Sequence, residues 1–501
     1  MVKGCGNYDK QEQIQLKKAV IIGAGIAGLA SALRLRKKRF EVKVLEANTY
    51  AGGKIHAFQE KGYRFDAGPS LFTMPHLVDE LFELFSLNPP DFFRYQQKEI
   101  VCNYFWEDDT SFSAKADRFK FVQDAANTFN EDPGKIERYL AKNALKFDLT
   151  KEVFLEKSLH KLSTYLSYNT LSSFLQAYKL DLFSSLNTVN ERAFKNDKLV
   201  QLFNRYATYN GSSPYKTPGI MSMIPHLEMD GGTYFPEGGM HRISQSLYEL
   251  AKEQGVVFHF EEPAKEIMLE GKTVTGVKTE ENLYQADVVV SNADVYATYH
   301  NLLPTVKKPQ KVLRQERSSS ALIFYWGINR TFKELDLHNI LFSADYQKEF
   351  DTIFDKHSVD TDPTIYINIT SKEAPSDAPS GCENWFVMVN TPPNYGQDWA
   401  SLEMETRKNV IAKINRMLKT KIEEHIEMEE ILDPVKIEDR TSSFRGSLYG
   451  TSSNSQFAAF LRHSNFAPNL RNLYFCGGST HPGGGIPLCL LSARIMAEGI
   501  D

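Results

Sequence analysis

The chain has 501 residues, of which 42% are hydrophobic and 24% are charged, and its formal net charge is −5. This composition lacks the basic surplus of nucleic-acid-binding proteins, so we expect no nucleic-acid partner. No run reaches the ~18–20 apolar residues of a membrane-spanning helix, and single hydrophobic cores stop growing near ~250–300 residues, which predicts two domains.

The cysteines are scattered and show no C-x-x-C spacing; they are Cys5, Cys102, Cys382, Cys476 and Cys489. This pattern argues against zinc ribbons and disulfide frameworks and fits a reducing compartment. The polar N-terminal stretch, residues 1–18, has no apolar core of the kind found in signal peptides, so we do not predict a secretory signal there. We therefore expect a cytoplasmic protein without a metal site.

The first predicted elements form a β-α-β unit. "KAVII" (18–22) is a short buried-strand pattern, "GAGIAGLASALRLRKKR" (23–39) has helical periodicity, and "FEVKVLEA" (40–47) is a second strand. Strands that alternate with a helix in this way predict an α/β fold with a parallel, doubly wound sheet.

The rest of the chain alternates between two kinds of pattern. Residues 92–114 show short strands, about 118–208 are helical, 231–294 return to strand-helix-strand, and 296–439 are mixed. A last strand then leads into a glycine-rich turn and a helix. We predict a discontinuous nucleotide-binding domain (17–95, 225–297 and 440–501) and an inserted substrate domain (96–224 and 298–439).

The motif Gly23-x-Gly25-x-x-Gly28 lies between the first predicted strand and helix. In this position the first glycine makes a tight turn, the second lets a pyrophosphate approach the backbone, and the third allows close helix–strand packing. Glu46 follows at the end of the second strand, where a carboxylate accepts ribose hydroxyls. The motif predicts dinucleotide binding and leaves FAD and NAD both open.

Further glycine-containing turns favour FAD. They are "AGGKIHAF" (51–58), "FDAGPSLFTMP" (65–75) and, near the end of the chain, "GGSTHPGGGIP" (477–487), with "SNAD" (291–294) between them. A retained flavin is held along its whole length, whereas NAD exchanges between turnovers. The C-terminal turn also precedes a helix, whose N-terminus offers free N–H groups to a ligand.

The motifs "FDAGPS", "GGTYFPEGGM" and "STHPGGGIP" occur in order along the chain. With them the sequence resembles the flavin amine oxidase and carotenoid desaturase superfamily, and in particular the bacterial phytoene-desaturase-type family. The resemblance covers essentially the whole chain. It implies a Rossmann-like FAD-binding domain with an inserted mixed α+β substrate domain and a helical, membrane-associated part at about 118–208.

The resemblance also implies which residues hold FAD. Glu46 would bind the adenosine ribose, and Gly483 to Gly485 would leave a bare wall against the isoalloxazine. Many family members carry arginine at the position of Lys54. Lysine keeps the charge of arginine but lacks its bidentate fork. The complete implied set is Gly23, Gly25, Ile26, Ala27, Gly28, Glu46, Ala47, Gly52, Gly53, Lys54, Gly68, Pro69, Ser70, Leu71, Ala264, Asn292, Gly478, Thr480, His481, Pro482, Gly483, Gly484, Gly485, Ile486 and Pro487.

The activity implied by the resemblance is FAD-dependent desaturation of a carotenoid, by hydride transfer to flavin N5. Lys54 and the stretch 201–215 look more like the hydroxycarotenoid 3,4-desaturase branch, which implies 3,4-desaturation of an acyclic or monocyclic 1-hydroxycarotenoid. A phytoene- or neurosporene-type desaturase and a flavin-dependent isomerase or saturase remain alternatives. An amine oxidase and a flavin-free binding protein rank behind them. Quinone or oxygen would reoxidise the flavin.

No catalytic side chain stands out, because the sequence contains no H-E-x-x-H, G-x-S-x-G or P-loop. The flavin carries the difficult step in such enzymes, and the protein supplies orientation and electrostatics. Weak candidates are His481, beside the glycine run, and Arg205 and Tyr206 in "RYATY". Each also has a structural interpretation, as a loop-bonding histidine or as a buried pair that packs a helix.

The segment 142–183 mixes lysine with phenylalanine, leucine and tyrosine. A basic, aromatic, amphipathic helix can lie in a membrane interface. The alternative is a set of core-facing helices with a solvated side. Because the family's substrates are lipids, we expect a monotopic protein on the membrane surface.

Overall fold

A computed structural model describes residues 16–160, 164, 176, 179–455 and 461–500. Parts of the predicted amphipathic segment 142–183, and Cys5, lie outside these residues. The strands in this part of the chain are β1 (Lys18–Ile22), β2 (Glu41–Leu45), β3 (Ala57–Glu60), β4 (Tyr63–Asp66), β5 (Tyr95–Gln97), β6 (Ile100–Phe105), β7 (Ser111–Lys115), β8 (Tyr234–Pro236), β9 (Val257–His259), β10 (Glu266–Glu270), β11 (Thr273–Lys278), β12 (Leu283–Gln285), β13 (Val288–Ser291), β14 (Ser320–Ile328), β15 (His338–Leu341), β16 (Ile365–Ile369), β17 (Glu383–Thr391), β18 (Ile426–Leu432) and β19 (Leu473–Phe475).

The α-helices of the same residues are α1 (Ile26–Lys37), α2 (His76–Glu83), α3 (Arg118–Phe129), α4 (Pro133–Thr150), α5 (Leu186–Ala193), α6 (Asp197–Asn204), α7 (Ile224–Met229), α8 (His241–Glu253), α9 (Val295–Ala297), α10 (Gln310–Leu313), α11 (Tyr346–Phe354), α12 (Trp399–Leu418), α13 (Pro434–Thr441) and α14 (Ile486–Glu498). Single turns of 3₁₀ or π geometry extend several of these helices, among them Lys151–Glu156 after α4 and Arg205–Asn210 after α6.

A parallel five-stranded sheet has the order β19-β13-β1-β2-β9. Its central strands are apolar and buried, as expected for a parallel sheet that is covered on both faces. Helices α1, α8 and α14 cover one face with residues such as Leu29, Leu247 and Leu490. The antiparallel sheet β10-β11-β12 covers the other face, where Val274 and Val277 meet Val20 and Val289.

The strands of this sheet come from three separated parts of the chain, 18–45, 257–291 and 473–475. The first β-α-β unit, β1-α1-β2, forms where the sequence predicts it, and β1 pairs with β2 from Lys18↔Glu41 to Ile22↔Leu45. The domain boundaries given above stay a prediction.

A seven-stranded mixed sheet, β18-β14-β17-β16-β15-β6-β7, forms the second layer. Its longest pairing runs antiparallel from Ser320↔Thr391 to Ile328↔Glu383. Successive strand residues point to opposite faces, so Phe324 and Trp326 pack beneath α12 while Ile323 lies in the wall of a cavity. The sheet therefore separates a helix-covered core from the cavity.

The described part of 118–208 is largely helical, as the sequence predicts. Polar caps set the helix starts: Asp117 and Asp132 accept backbone N–H groups of α3 and α4, and Ser185 and Asn196 do the same for α5 and α6. Such caps are each worth ~1 kcal/mol. The apolar sides of these helices surround a phenylalanine-rich core.

Within the described residues, no helix is both long and apolar enough to cross a bilayer.

Candidate cofactor and substrate site

A cavity of about 720 Å³ lies between the glycine-rich turns of the parallel sheet and the inner face of the seven-stranded sheet. This volume is within the ~300–1,000 Å³ typical of small-molecule sites. Most of the predicted cofactor residues line it, namely Gly23, Gly25, Ile26, Ala27, Glu46, Ala47, Gly52, Gly53, Lys54, Gly68, Pro69, Ser70, Leu71, Ala264, Asn292, Gly478, His481, Pro482, Gly484, Gly485, Ile486 and Pro487. We call this part the cofactor wall.

Three predicted residues lie behind that wall: Gly28, Thr480 and Gly483. Gly28 packs inside the first turn, because a Cβ there would stand 2.1 Å from the carbonyl oxygen of Gly23. Its N–H donates to Asn292 Oδ1 at 2.9 Å. Gly28 therefore shapes the turn through close packing. Direct contact between these three residues and FAD stays a prediction.

The N-terminus of α1 opens onto the cavity. Its N-cap, Gly25, makes no side-chain cap bond, and Gly25, Ile26 and Ala27 all line the wall. The first N–H groups of a helix and its positive dipole end attract an anion. This arrangement fits the diphosphate of a dinucleotide.

Glu46 follows β2 and is buried in the wall. Its Oε2 accepts the N–H of Ala24 at 2.7 Å, and its Oε1 accepts the backbone N–H and the side-chain amide of Asn48, both at 2.9 Å. A carboxylate offers about four acceptor positions, so capacity remains for a ribose hydroxyl. Glu46 also ties the first glycine turn to the end of β2, which sequence reasoning did not anticipate.

Lys54 joins the cofactor wall to the loop before the C-terminal turn. Its Nζ donates to the carbonyl oxygens of Leu448 at 2.9 Å and Ser447 at 3.3 Å. Burial lowers the pKa of Lys54 to about 8, although the charge of Asp294 opposes the shift. The ammonium group is thus only partly stabilised by the protein, and a bound anion would stabilise it further.

The C-terminal turn presents its glycines in different directions. A Cβ at Gly485 would meet no atom within 4 Å, and its φ of +104° is one that other residues rarely adopt. A Cβ at Gly484 would instead lie 2.9 Å from Tyr449 Cα. The open face is therefore provided by Gly485, whereas Gly484 makes room for Tyr449.

His481 is buried at the base of this turn and lines the cavity. Burial lowers its pKa to about 4, so it is neutral at pH 7. Its Nε2 lies 2.9 Å from the carbonyl oxygen of Lys157. Because a carbonyl only accepts, Nε2 carries the proton. These contacts favour the structural interpretation of His481, which holds the turn against the segment at Lys157.

Another part of the cavity is lined by a buried ion pair. Arg205 Nη2 lies 2.6 Å from Glu228 Oε1, which also accepts the hydroxyl of Tyr206 at 2.8 Å. Tyr209 donates to Glu228 Oε2. Although burial opposes it, Glu228 raises the pKa of Arg205 well above its usual value, so the guanidinium stays charged. Arg205 lines the cavity, while Tyr206 lies behind it.

Two strands of the seven-stranded sheet add polar groups beside this pair. His338 Nδ1 lies 2.7 Å from the hydroxyl of Tyr366, which lies 2.8 Å from Ser70 Oγ on the cofactor wall. Burial lowers the pKa of His338 to about 3. Sequence reasoning missed Glu228, His338 and Tyr366; "RYATY" was the one local signal, because polar groups interrupt an apolar helical stretch there.

The sequence also matches known proteins over nearly its whole length. The sequence profile of flavin-containing amine oxidoreductases matches residues 26–501. The 1-hydroxycarotenoid 3,4-desaturase of Flavobacterium sp. (strain P99-3) is 58% identical over 96% of this chain and 99% of its own length. The 4,4'-diapolycopene oxygenase of Methylomonas sp. is 32% identical over 97% of this chain and 98% of its own.

Among solved structures, cyclohexylamine oxidase from Brevibacterium oxydans IH-35A has the same fold. The TM-score is 0.60 at 15% sequence identity, and the match covers 97% of this chain and 99% of the other. The chain belongs to the family of flavin-containing amine oxidoreductases. It is an FAD-dependent oxidoreductase with a Rossmann-like FAD-binding fold and mixed α/β sheets.

The residues present fit FAD. The open N-terminus of α1 suits the diphosphate, Glu46 keeps an acceptor position for the ribose, and the open face at Gly485 leaves space for a flat ring. In the described part of the chain, no cluster of three or more His, Cys, Asp or Glu side chains is placed to hold a metal ion.

Proposed function

We propose that the protein is a carotenoid desaturase that introduces a C=C bond into an acyclic or monocyclic carotenoid, by 3,4-desaturation of a 1-hydroxycarotenoid. The observation that carries this proposal is 58% identity, over 96% of the chain, with a 1-hydroxycarotenoid 3,4-desaturase. The match spans nearly all of both chains, so it includes the segments that form the cofactor wall and those that form the substrate side of the cavity.

The wall opposite the cofactor suits a polyene. It is lined by aliphatic, methionine and phenylalanine side chains, including Val101, Met221, Met223, Ile224, Leu227, Ile323, Ile340, Phe386 and Met388. Burial of apolar surface stabilises binding by ~25 cal/mol per Å², and the unbranched methionine side chains adapt to an extended ligand. Such a wall gives little affinity for a charged amine.

FAD held on the cofactor wall would supply a hydride acceptor for this reaction, in which one carbon of the substrate loses a hydride and the adjacent carbon loses a proton. The protein's own part is to hold the chain against the cofactor wall and to keep bulk water away from the reacting carbons. His481 and His338 are neutral in their buried positions.

The protein is further proposed to lie on the cytoplasmic membrane surface, where a quinone or oxygen would reoxidise the flavin. Phe183 is 91% exposed and Leu145 is 41% exposed. The ion pair of Lys146 with Asp181, at 2.7 Å, places their two segments side by side. Exposed apolar residues are typical of the apolar face of interfacial helices. Phe183→Asp should reduce co-sedimentation with anionic vesicles; unchanged binding would remove this surface from the proposal.

An anaerobic single turnover tests the activity. FAD-loaded protein in detergent is mixed with a 1-hydroxycarotenoid, and flavin absorbance and product mass are followed together. Bleached flavin and a product lighter by two hydrogens support the proposal. Altered retention at unchanged mass would indicate an isomerase. Turnover of phytoene or neurosporene in place of the hydroxylated substrate would indicate a desaturase of that type.

A further inference from the structure

The polar end of the cavity is formed by Arg205, Tyr209, Glu228 and His338, all of which line the cavity. Burying such groups costs free energy unless they are hydrogen-bonded. An apolar substrate alone would gain nothing from them. Their place in the wall therefore requires an explanation that a plain hydrocarbon ligand does not provide.

His338 keeps one donor without a partner. Its Nδ1 lies 3.2 Å from Asn368 Nδ2 and 2.7 Å from the hydroxyl of Tyr366. An amide nitrogen only donates, so Nδ1 is the acceptor and Nε2 carries the proton of the neutral ring. Among the described residues, this buried Nε2–H has no hydrogen-bond partner.

Arg205 also has an unpaired hydrogen-bond donor, its Nε–H. Two of its nitrogens reach Glu228 and Tyr209, but its buried Nε has no partner in the part of the chain that the structure describes. Arg205 is near enough to His338 for its charge to lower the imidazole pKa. A buried donor left unpaired costs ~1–3 kcal/mol, so both donors gain from a ligand that supplies an acceptor.

The charge of this cluster selects the chemistry of that ligand. The charges of the Arg205 cation and the Glu228 carboxylate cancel, and His338 is neutral. The cluster therefore does not favour a ligand with a charged group. Glu228 Oε2 accepts one bond from Tyr209 and keeps room for another donor. A hydroxyl both accepts and donates, so it can pair with an unpartnered donor of this cluster and with Glu228 Oε2.

We infer that this polar end binds the hydroxyl group of the substrate and thereby selects hydroxylated polyenes and fixes which bond meets the flavin. The inference rests on the proposed function. In a 1-hydroxycarotenoid only C2 separates the carbon that bears the hydroxyl from C3. The hydroxyl site must then lie close to the cofactor wall, and the chain His338–Tyr366–Ser70 joins the two.

The test compares a 1-hydroxycarotenoid with the same polyene lacking the hydroxyl, using the full FAD-loaded chain. Variants are His338→Phe, His338→Gln, which keeps a donor, and Tyr209→Phe. The matched control is Tyr139→Phe. In the wild type the buried Tyr139 hydroxyl donates to Asn190 Oδ1 at 2.7 Å, and neither residue lines the cavity. The measurements are kcat/KM for both substrates and their dissociation constants, from quenching of protein fluorescence.

We expect the wild type to prefer the hydroxylated polyene by about 10-fold or more in both measurements. The preference should fall to within about threefold in His338→Phe and Tyr209→Phe, chiefly through KM, and recover in part in His338→Gln. Tyr139→Phe should match the wild type. If His338→Phe does not fold, Tyr209→Phe decides the outcome.

An unchanged preference in folded, FAD-containing variants would overturn the inference and leave the proposed function intact. Equal use of both polyenes by the wild type would do the same. Failure of the wild type to convert either polyene would instead overturn the proposed function, and the inference with it.

Discussion

The cofactor wall and the polar end of the same cavity are built in different ways. The cofactor wall consists mainly of turns in which the backbone faces the ligand, and each turn is a short stretch of sequence. The polar end consists of side chains from α7, β15 and the turn after α6, which are distant in sequence. Substitutions in the first region should change FAD retention, and substitutions in the second should change stability and substrate choice.

The largest effect on stability is expected at the buried pair. Glu228→Ala leaves the Arg205 charge and the Tyr206 hydroxyl without their acceptor. Removing one partner of a buried ion pair costs ~3–5 kcal/mol. We expect the free energy of unfolding, measured in urea, to fall by about this amount.

Two comparisons make this prediction specific. Lys419→Ala breaks an ion pair with Asp109 in which both side chains are 73% exposed, and should cost less than ~1 kcal/mol. The double variant Arg205→Met with Glu228→Leu should recover much of the loss, because no unpaired charge remains. A single Glu228→Ala variant as stable as Lys419→Ala would contradict the account of the cluster.

The next effect is expected in the first glycine turn. In Gly28→Ala the new Cβ would lie 2.1 Å from the carbonyl oxygen of Gly23. Relieving this clash shifts the turn at a cost of up to ~3 kcal/mol, which corresponds to about 150-fold weaker FAD binding. Titration of the apoprotein with FAD measures the change.

Gly381→Ala is the control for backbone strain. Its φ of +79° is unfavourable for alanine, unlike the helical position of Gly28, but a Cβ there meets nothing within 4 Å. We expect a modest loss of stability, of ~1–2 kcal/mol, with FAD affinity kept. Equal FAD affinity in both variants would mean that Gly28 is not essential to the shape of the turn.

Glu46→Gln should weaken FAD binding by a smaller factor. The amide keeps one oxygen but replaces the other with a donor, which cannot accept the N–H of Ala24. Hydrogen bonds to a charged group contribute ~1.5–3 kcal/mol, so we expect an FAD dissociation constant about 10-fold higher. Glu41→Gln, at the exposed start of β2, is the control. Unchanged affinity would remove the ribose role.

The same contrast explains how much could be predicted from the sequence. Gly23, Gly25 and Glu46 could be placed because turn geometry and strand ends fix which residue types fit, and those constraints are local. The resemblance to a known family added Gly484 and Gly485, but not the directions they face. Those depend on Tyr449, which comes from another segment.

The polar end offered no comparable local signal. Arg205 could be noticed within an apolar stretch, but its partner Glu228 lies 23 residues away. The bond between His338 and Tyr366 depends on the antiparallel pairing of β15 with β16. Strand pairing of this kind is decided by the packing of the whole sheet, so the roles of these residues required the structure.

The smallest predicted effect is a pH dependence of FAD binding that arises at Lys54. Burial holds its pKa at about 8, so the group is mostly charged at pH 7 and mostly neutral at pH 9. We expect Lys54 to lie near the FAD diphosphate, and loss of its charge then removes an attraction. FAD affinity should therefore fall as pH rises from 7 to 9, by about three- to fivefold.

A neighbouring titratable group must also be considered as a source of this pH dependence of FAD affinity. Burial raises the pKa of the neighbouring Cys489 to about 11, so its thiol stays protonated between pH 7 and 9. Lys54→Arg is the matched control, since a guanidinium stays charged throughout. It should flatten the dependence. The same slope in the wild type and in Lys54→Arg would show that the titrating group is not Lys54.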